Sequence, residues 1–211
     1  MFEIISVLEK KLQVMFENEN TGHDISHLKR VYEYAKCIQK NEGGDEYVVL
    51  VSALVHDVHR LMSIKEKKHV SAQDSIEEVR KLLIDSNVDL SRLDAILEVV
   101  YNHDDKVNKN QSLETLIIQD ADCLDAMGEI GLERTLMYCK TNNIPITNFN
   151  YPLDAKEYIP DINPISTCHY IYNTMIPNAK NLYTNAAKEM AKDRVEILEM
   201  FIKKQYEKCG K

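Results

Sequence analysis

The dipeptide His56-Asp57 directly follows the apolar run VVLVSALV, which ends at Val55. A run of this composition is typical of a buried element, and burying a carboxylate without a partner is costly. A divalent cation would remove that cost, because histidine supplies a neutral nitrogen and aspartate a hard oxygen. This mixture suits Mn, Fe, Co, Ni, Zn or, less well, Mg. Two adjacent ligands cannot complete a site, so distant parts of the chain must supply the others.

Histidines are concentrated in the first half of the chain. Six of the seven fall within residues 23–103, at positions 23, 27, 56, 59, 69 and 103. His23 and His27 are four residues apart, and His56 and His59 are three apart, so each pair could share one face of a helix. Taken alone, His27 could equally be an ordinary helix residue, and His56-Asp57 could be a helix cap.

A second apolar segment also leads into carboxylates. Residues 116–118 are Leu-Ile-Ile, and the acidic cluster Asp120, Asp122 and Asp125 follows them. This repeats the arrangement at His56-Asp57 and fits a partly buried metal site. A solvated helix face would give the same pattern, so the residues alone leave both interpretations open.

Helices dominate the predicted secondary structure. Apolar residues at helical spacing predict helices over residues 3–17, 24–40, 70–84, 91–102, 113–127, 129–140, 166–176 and 180–207. Residues 46–58 are ambiguous between a strand and a buried helix, and we choose a helix because no strand-like run lies nearby to pair with them. The proline-rich segment 141–164 is predicted to be a long loop, which is more often functional than idle. The fold class is therefore all-α.

Composition excludes several classes of protein. The chain has 211 residues and a net charge of −8, which argues against binding a nucleic-acid polymer or a membrane surface. We expect no membrane span and no signal peptide. The five cysteines are dispersed, which indicates free thiols in a reducing cytoplasm and not a zinc finger. Motifs for zinc proteases, nucleotide-cradling loops and acyl hydrolases are absent from the sequence.

The ordered set His27, His56-Asp57 and Asp122 resembles the H…HD…D signature of the HD-domain metal-dependent phosphohydrolases. Residues 23–31 and 119–131 are similar to the flanking segments of a group of short, stand-alone bacterial HD hydrolases. The resemblance extends to about residue 200. Two positions depart from that group: Asn173 replaces a frequent lysine, and Cys123 replaces a frequent arginine, so substrate identity cannot be transferred.

The resemblance implies a single-domain helical bundle of the HD type over residues 1–211. Its core would lie at about 20–130, with C-terminal helices over 165–207 packing on it. It also implies one divalent metal ion (Mn, Mg, Co, Ni, Fe or Zn) between central helices. The implied metal ligands are His27, His56, Asp57 and Asp122. The implied catalytic residues are Asp57, His69 and His103, the implied substrate-binding residues are Arg30 and Lys65, and His59 is a further candidate near the phosphoryl group.

The expected activity is metal-dependent hydrolysis of a phosphoester or phosphoanhydride, with a small phosphorylated substrate, most simply a nucleotide. One alternative is a non-catalytic HD-fold sensor that binds a metal and a nucleotide. A weaker alternative is an HD-type di-iron oxygenase, in which His69 and His103 would supply further ligands. We expect a cytoplasmic protein without a membrane partner, and the sequence leaves homo-oligomerisation open.

Overall fold

The computed structural model describes residues 2–17, 23–105, 110–155 and 165–207, and the regular elements within these ranges are all helical. This confirms the all-α class. The chain divides into two compact units, residues 1–122 and 123–211. The predicted packing of the C-terminal helices on the core stays a prediction. Residues 156–164 of the predicted loop lie outside the described residues.

The described part of the first unit contains six complete helices and most of a seventh. They are α1 (Phe2–Met15), α2 (Ile25–Glu42), α3 (Glu46–Val55), α4 (Val58–Glu66), α5 (Ile76–Ile84), α6 (Leu93–Asn102) and α7 (Leu113–Asp125), with a short 3-10 turn at Gln73–Ser75. The α7 helix continues three residues past the boundary between the units. The ambiguous segment 46–58 is thus helical, but it ends at Val55, and a helix that was not predicted, α4, begins at Val58.

The break between α3 and α4 lies at the His56-Asp57 dipeptide. His56 keeps helical dihedrals, whereas Asp57 has φ −95° and ψ 14°, in the sparsely populated bridge region. Asp57 occupies the N-cap position of α4, where an aspartate usually accepts a backbone hydrogen bond. Its side chain makes no such bond. The break therefore releases the Asp57 carboxylate from helix capping.

The helix α3 is buried around its whole circumference from Val48 to Val55. It packs against α2, α6 and α1, and α2 buries residues at helical spacing, including His27, Leu28 and Val31. The Asp24 side chain caps α2 by accepting a hydrogen bond of 2.9 Å from the His27 backbone N–H. The cap thus fixes the first turn of α2, which carries His27.

One aspartate connects the beginnings of three helices. Asp45 Oδ1 accepts from the backbone N–H groups of Tyr47 and Val48 and so caps α3. Its Oδ2 pairs with Arg92 Nε at 2.6 Å, just before α6, and its backbone N–H donates to Glu114 Oε1 at 2.8 Å in α7. The opposite ends of α3, α6 and α7 carry His56-Asp57, His103 and Asp122. Asp45 therefore sets the mutual positions of the helices that deliver these side chains.

Asp45→Ala should lower the free energy of unfolding by about 1–2 kcal/mol, the cost of losing a helix N-cap. Chemical denaturation followed by circular dichroism would measure it. Asp94→Ala is the matched control, because its carboxylate is 95% exposed and its pairing with Arg80 at 3.7 Å should contribute little. Equal stabilities for the two variants would contradict the role of Asp45.

The second unit contains α8 (Gly128–Thr141), the irregular helix α9 (Thr167–Tyr170), a π-helical turn (Ile171–Met175), α10 (Ile176–Lys180) and α11 (Asn185–Glu207). Its core is formed by Cys168, Ile171, Met175, Leu198 and Ile202. The predicted helix 166–176 thus exists, but it is interrupted by the π turn.

The glycines after the acidic cluster have structural roles. Gly128 has φ +66°, which favours glycine. A Cβ on Gly131 would lie 2.2 Å from the Ala126 carbonyl oxygen, so any side chain there would clash with the backbone. These two glycines therefore shape the turn between α7 and α8 in the segment 126–131.

One helical stretch in the described ranges, Glu46–Glu66, is long and apolar enough to cross a membrane by length and composition alone. The expectation of no membrane span stays a prediction. Two thirds of its apolar window (67%) is buried inside the protein, as the core helix of a globular domain would be.

Candidate metal centre

Four side chains from α2, the α3–α4 break and α7 converge in the first unit. His27 Nε2 lies 3.4 Å from Asp57 Oδ2 and 3.6 Å from Asp122 Oδ1. His56 Nε2 lies 3.8 Å from the same Asp57 oxygen. The rings of His27 and His56 are 5.4 Å apart, centroid to centroid. We call this group the core cluster.

The spacing within the core cluster suits a shared cation better than direct hydrogen bonds. Separations of 3.4–3.8 Å between nitrogen and oxygen exceed the usual length of a hydrogen bond. Two ligand atoms that each lie about 2.0–2.2 Å from one cation are roughly 3–4 Å apart. His27, His56 and Asp57 each offer a ligand atom within 4.8 Å of the others, and all three are buried.

The orientation of His56 is fixed by a backbone hydrogen bond. Its Nδ1 lies 2.9 Å from the Ala53 carbonyl oxygen, which can only accept, so Nδ1 carries the proton. In the neutral ring, the lone pair is then on Nε2. That nitrogen is fully buried and has no hydrogen-bond partner among the described residues, and the same holds for Asp57 Oδ2. A second ring nitrogen held in this way is characteristic of metal-binding histidines.

The other oxygen of Asp57 faces a second group of side chains. Oδ1 lies 3.8 Å from His59 Nδ1, 3.9 Å from His103 Nε2 and 3.5 Å from Arg60 Nε. Asp104 completes the group, with one oxygen 3.6 Å from His59 Nε2 and the other 3.6 Å from His103 Nε2. We call His59, His103 and Asp104 the rim cluster. Asp57 thus lies between the two clusters and presents one oxygen to each.

Burial and charge together set the ionisation of the core cluster. Burial raises the pKa of Asp57, but the nearby His56 and His27, together with Arg60, outweigh it and hold this pKa well below its usual range. Burial lowers the pKa of His56, only partly opposed by the Asp57 charge. Burial likewise lowers the pKa of His59. An ionised carboxylate beside neutral imidazoles is the protonation state that a divalent cation requires.

These shifts predict how the metal-free protein responds to acid. The buried histidines bind protons less readily when folded than when unfolded, so stability should fall as the pH drops below about 6.5, the ordinary pKa of histidine. Asp57 adds a further loss at lower pH, since its pKa is also lower in the folded state. Thermal unfolding of chelator-treated protein between pH 7.5 and 5 would measure the first effect. His56→Gln should flatten this pH dependence, and an unchanged slope would contradict the assignment.

A glutamine in α7 holds the turn that carries two members of the rim cluster, His103 and Asp104. Gln119 Nε2 donates hydrogen bonds of 3.0 Å to the backbone oxygens of both Asn102 and Asp105. His103 and Asp104 lie between these two residues. His103 Nδ1 also bonds to the Val100 carbonyl oxygen at 2.7 Å, which leaves its buried Nε2 facing the carboxylates. The turn after α6 is therefore fixed both by its own helix and by α7.

The structure does not bring all of the predicted site residues together. His69 is exposed in the loop after α4, Lys65 is exposed near the end of α4, and Arg30 is half-buried in α2. The described contacts include none that joins His69 or Lys65 to either cluster. Their expected roles therefore stay predictions.

Only part of the acidic cluster in α7 reaches the site. Asp122 does, whereas Asp125 is buried in an ion pair of 3.0 Å with Arg134; Asp120 is also buried. Two contributors were missed from the sequence. Asp104 could have been found from the His103-Asp104-Asp105 triplet, and Arg60 from its position one helical turn after Asp57.

Asn173, one of the two departures, has a structural role. Its Nδ2 donates to the backbone oxygens of Leu153 at 2.7 Å and His169 at 2.9 Å. His169 Nε2 in turn lies 3.0 Å from the Pro152 oxygen. Asn173 and His169 therefore fasten the described part of the proline-rich loop to the helix that contains the π turn.

A family model, a curated protein and several solved structures are similar to this chain. The model of the HD domain family matches residues 24–127. The uncharacterized protein YpgQ of Bacillus subtilis is 26% identical over 197 residues, which cover 91% of this chain and 87% of YpgQ. The crystal structure of an HD-superfamily hydrolase from Bacillus thuringiensis is similar with a TM-score of 0.76 and 25% identity, covering 97% of this chain and 95% of that one.

The crystal structure of YpgQ in complex with ADP shares the fold, with a TM-score of 0.76 at 22% identity, covering 98% of this chain and 95% of that one. The matched segment 24–127 contains both clusters, and the H…HD…D residues lie together within it. Residues 24–127 of this chain are therefore an HD domain, and the chain has the fold of the HD-superfamily hydrolases.

Proposed function

We propose that this protein is a divalent-metal-dependent phosphohydrolase in which His27, His56, Asp57 and Asp122 bind a cation. The observation that carries the proposal is the buried pair of His56 Nε2 and Asp57 Oδ2. Neither atom has a hydrogen-bond partner among the described residues, although leaving such atoms without partners costs free energy. A cation between them would remove that cost by binding both the Nε2 lone pair of His56 and the Asp57 oxygen.

The ligand set also suits catalysis. Two imidazoles and two carboxylates leave coordination positions open for water and for a phosphate oxygen, and a bound cation would lower the pKa of that water. Asp122 lies on the open side, because its side chain is 39% exposed while His27 and His56 are fully buried. A substrate would therefore approach from the side of Asp122.

The rim cluster and Arg60 are placed to meet such a substrate. His103 and Arg60 both lie near Asp57 Oδ1, and Arg60 is 40% exposed. Groups of this kind would orient a phosphoryl group and stabilise its charge. His103 thus keeps its proposed catalytic role beside Asp57. His69, Arg30 and Lys65 remain candidates for contacts with more distant parts of the substrate.

A nucleotide is the proposed substrate class. The relative YpgQ has been crystallised with ADP, and the two proteins share both sequence similarity and fold. The chain has a net charge of −8, so a small anionic ligand would depend on the cation and on Arg60 for its attraction. We further propose that the protein acts in the cytoplasm.

A hydrolysis screen tests the proposal. Metal-stripped protein would be given Mn, Mg, Co, Ni or Zn together with nucleoside mono-, di- or triphosphates or generic phosphoesters, and phosphate release would be measured. We expect turnover of at least one nucleotide with at least one metal and none with chelator. Asp94→Asn should retain wild-type activity, whereas Asp122→Asn should lose it. Metal binding without turnover of any substrate would favour the sensor alternative.

A further inference from the structure

We propose that Gln119 is a positioning residue for hydrolysis, because it holds the turn formed by residues 102–105 and thereby the side chain of His103. This inference rests on the proposed function and deepens it. Gln119 lies in neither cluster, so it acts on the reaction only through the backbone of this turn.

The turn lies at the end of α6. It is closed by a hydrogen bond of 2.9 Å from the Asp105 backbone N–H to the Asn102 oxygen. His103 and Asp104 occupy its two central positions. His103 Nε2 lies 3.9 Å from Asp57 Oδ1 and 3.6 Å from Asp104 Oδ1. A small rotation of the turn would therefore move both side chains relative to Asp57.

Two glutamines hold this turn from outside α6. Gln119 Nε2 donates hydrogen bonds of 3.0 Å to the backbone oxygens of Asn102 and Asp105. Gln111, two residues before α7, donates through its Nε2 to the same two oxygens. Because the last carbonyl groups of a helix have no partner within it, such donors fix the helix end. Both ends of the turn are therefore bound to side chains that do not belong to α6.

Gln119 is not needed merely to satisfy these backbone oxygens. Without it, the Asn102 oxygen would still accept from the Asp105 N–H, and the Asp105 oxygen would still accept from Gln111. Gln119 is buried, and its own Oε1 has no hydrogen-bond partner among the described residues, which is unfavourable. An apolar side chain of the same length would avoid that loss. A need for a fixed turn therefore explains this buried amide better than stability alone.

The helix that carries Gln119 also carries Asp122. The two residues are three apart in α7, so they lie on the same side of the helix. Asp122 Oδ1 lies 3.6 Å from His27 Nε2 in the core cluster. One helix thus relates the proposed ligand Asp122 to the turn that carries His103. A displacement of about 1 Å at a reacting group can lower a rate by roughly 10²-fold, so a common support of this kind matters for turnover.

Gln119→Met tests the proposal, because methionine keeps the length of the side chain and removes its amide. In metal-stripped protein, hydrogen exchange measured by NMR should become faster at the Asp105 amide, which closes the turn. In the metal-loaded enzyme, kcat for the best substrate should fall by roughly 10–100-fold, as is usual when an outer hydrogen-bond partner is lost. Binding of Mn²⁺ to the core cluster should stay as in wild type, because none of its four members is changed.

Gln73→Met is the matched control. Gln73 Nε2 donates to the Tyr101 backbone oxygen at 2.6 Å, one residue before the turn. The substitution removes the same kind of hydrogen bond from the same helix end and leaves the bonds of the turn in place. Exchange at Asp105 and kcat should therefore stay close to their wild-type values.

A double-mutant cycle with His103→Ala separates positioning from a purely structural role. If Gln119 acts through His103, Gln119→Met should lower kcat in the wild-type background and have little further effect once His103 is replaced. A general loss of folded, active protein would instead multiply the two defects. Multiplied losses would overturn the proposal.

The exchange measurement does not depend on activity, so the proposed function and this inference can fail separately. Unchanged exchange at Asp105 in Gln119→Met, or unchanged kcat in an active enzyme, would overturn the role of Gln119 and leave the proposed function standing. A wild-type protein that hydrolyses none of the screened substrates would overturn the proposed function and, with it, the catalytic consequence of the turn.

Discussion

Asp57→Ala should abolish metal-dependent hydrolysis while leaving the helical fold largely intact. Asp57 is the residue that both clusters share, with one oxygen toward each. Its removal should cost more than the loss of a single electrostatic contact, which lowers kcat by about 10²–10³-fold. The fold should survive because Val48–Val55 remain buried in α3 and because the Asp57 side chain does not cap α4.

Three measurements would check this expectation: phosphate release, metal content of the purified protein, and the far-ultraviolet circular dichroism spectrum. Asp57→Asn is the companion variant, since it preserves shape while removing the charge, and it should lose activity as well. Full activity of Asp57→Ala at raised metal concentration would contradict the mechanism. Global unfolding of both variants would show instead that the carboxylate is needed for folding.

Saturating Mn²⁺ should raise the melting temperature of the wild-type protein by roughly 5–10 °C. A ligand at a hundred times its Kd stabilises the folded state by about 2.7 kcal/mol, and for a chain of this size each kcal/mol corresponds to about 2–4 °C. The stabilisation is expected because the core cluster holds an ionised, buried carboxylate beside a neutral imidazole, and neither Asp57 Oδ2 nor His56 Nε2 has a hydrogen-bond partner among the described residues.

Differential scanning fluorimetry with and without Mn²⁺ would measure this shift within each variant, so differences in baseline stability cancel. Asp122→Asn should lose most of the shift, whereas Asp94→Asn should keep it. A shift of equal size in Asp122→Asn would mean that the stabilising ion binds outside the core cluster.

The sequence predicted the parts of the fold that depend on local pattern. Apolar spacing placed α2 and α6 closely, because each buries one continuous stripe. It failed at α3 and α4, because the bridge conformation of Asp57 is set by packing around the site. It also failed at the π turn in residues 171–175, whose apolar pattern is that of an ordinary helix.

The candidate site was also predicted only in part from the sequence. His27, His56, Asp57 and Asp122 were selected through the resemblance to the HD-domain family, and the structure places them together. Asp104 and Arg60 were missed because their importance comes from which Asp57 oxygen they approach, and sequence carries no such information. His69 was selected by resemblance, but it lies on an exposed loop. No periodic apolar pattern there indicates which way its side chain points.

The most direct test of the central claim is a crystal structure of the protein grown with Mn²⁺ and measured for anomalous scattering. The account predicts a peak about 2.0–2.3 Å from His27 Nε2, His56 Nε2, Asp57 Oδ2 and an Asp122 oxygen. Well-ordered crystals that show no peak among these four side chains, at a Mn²⁺ concentration that saturates binding in solution, would contradict it.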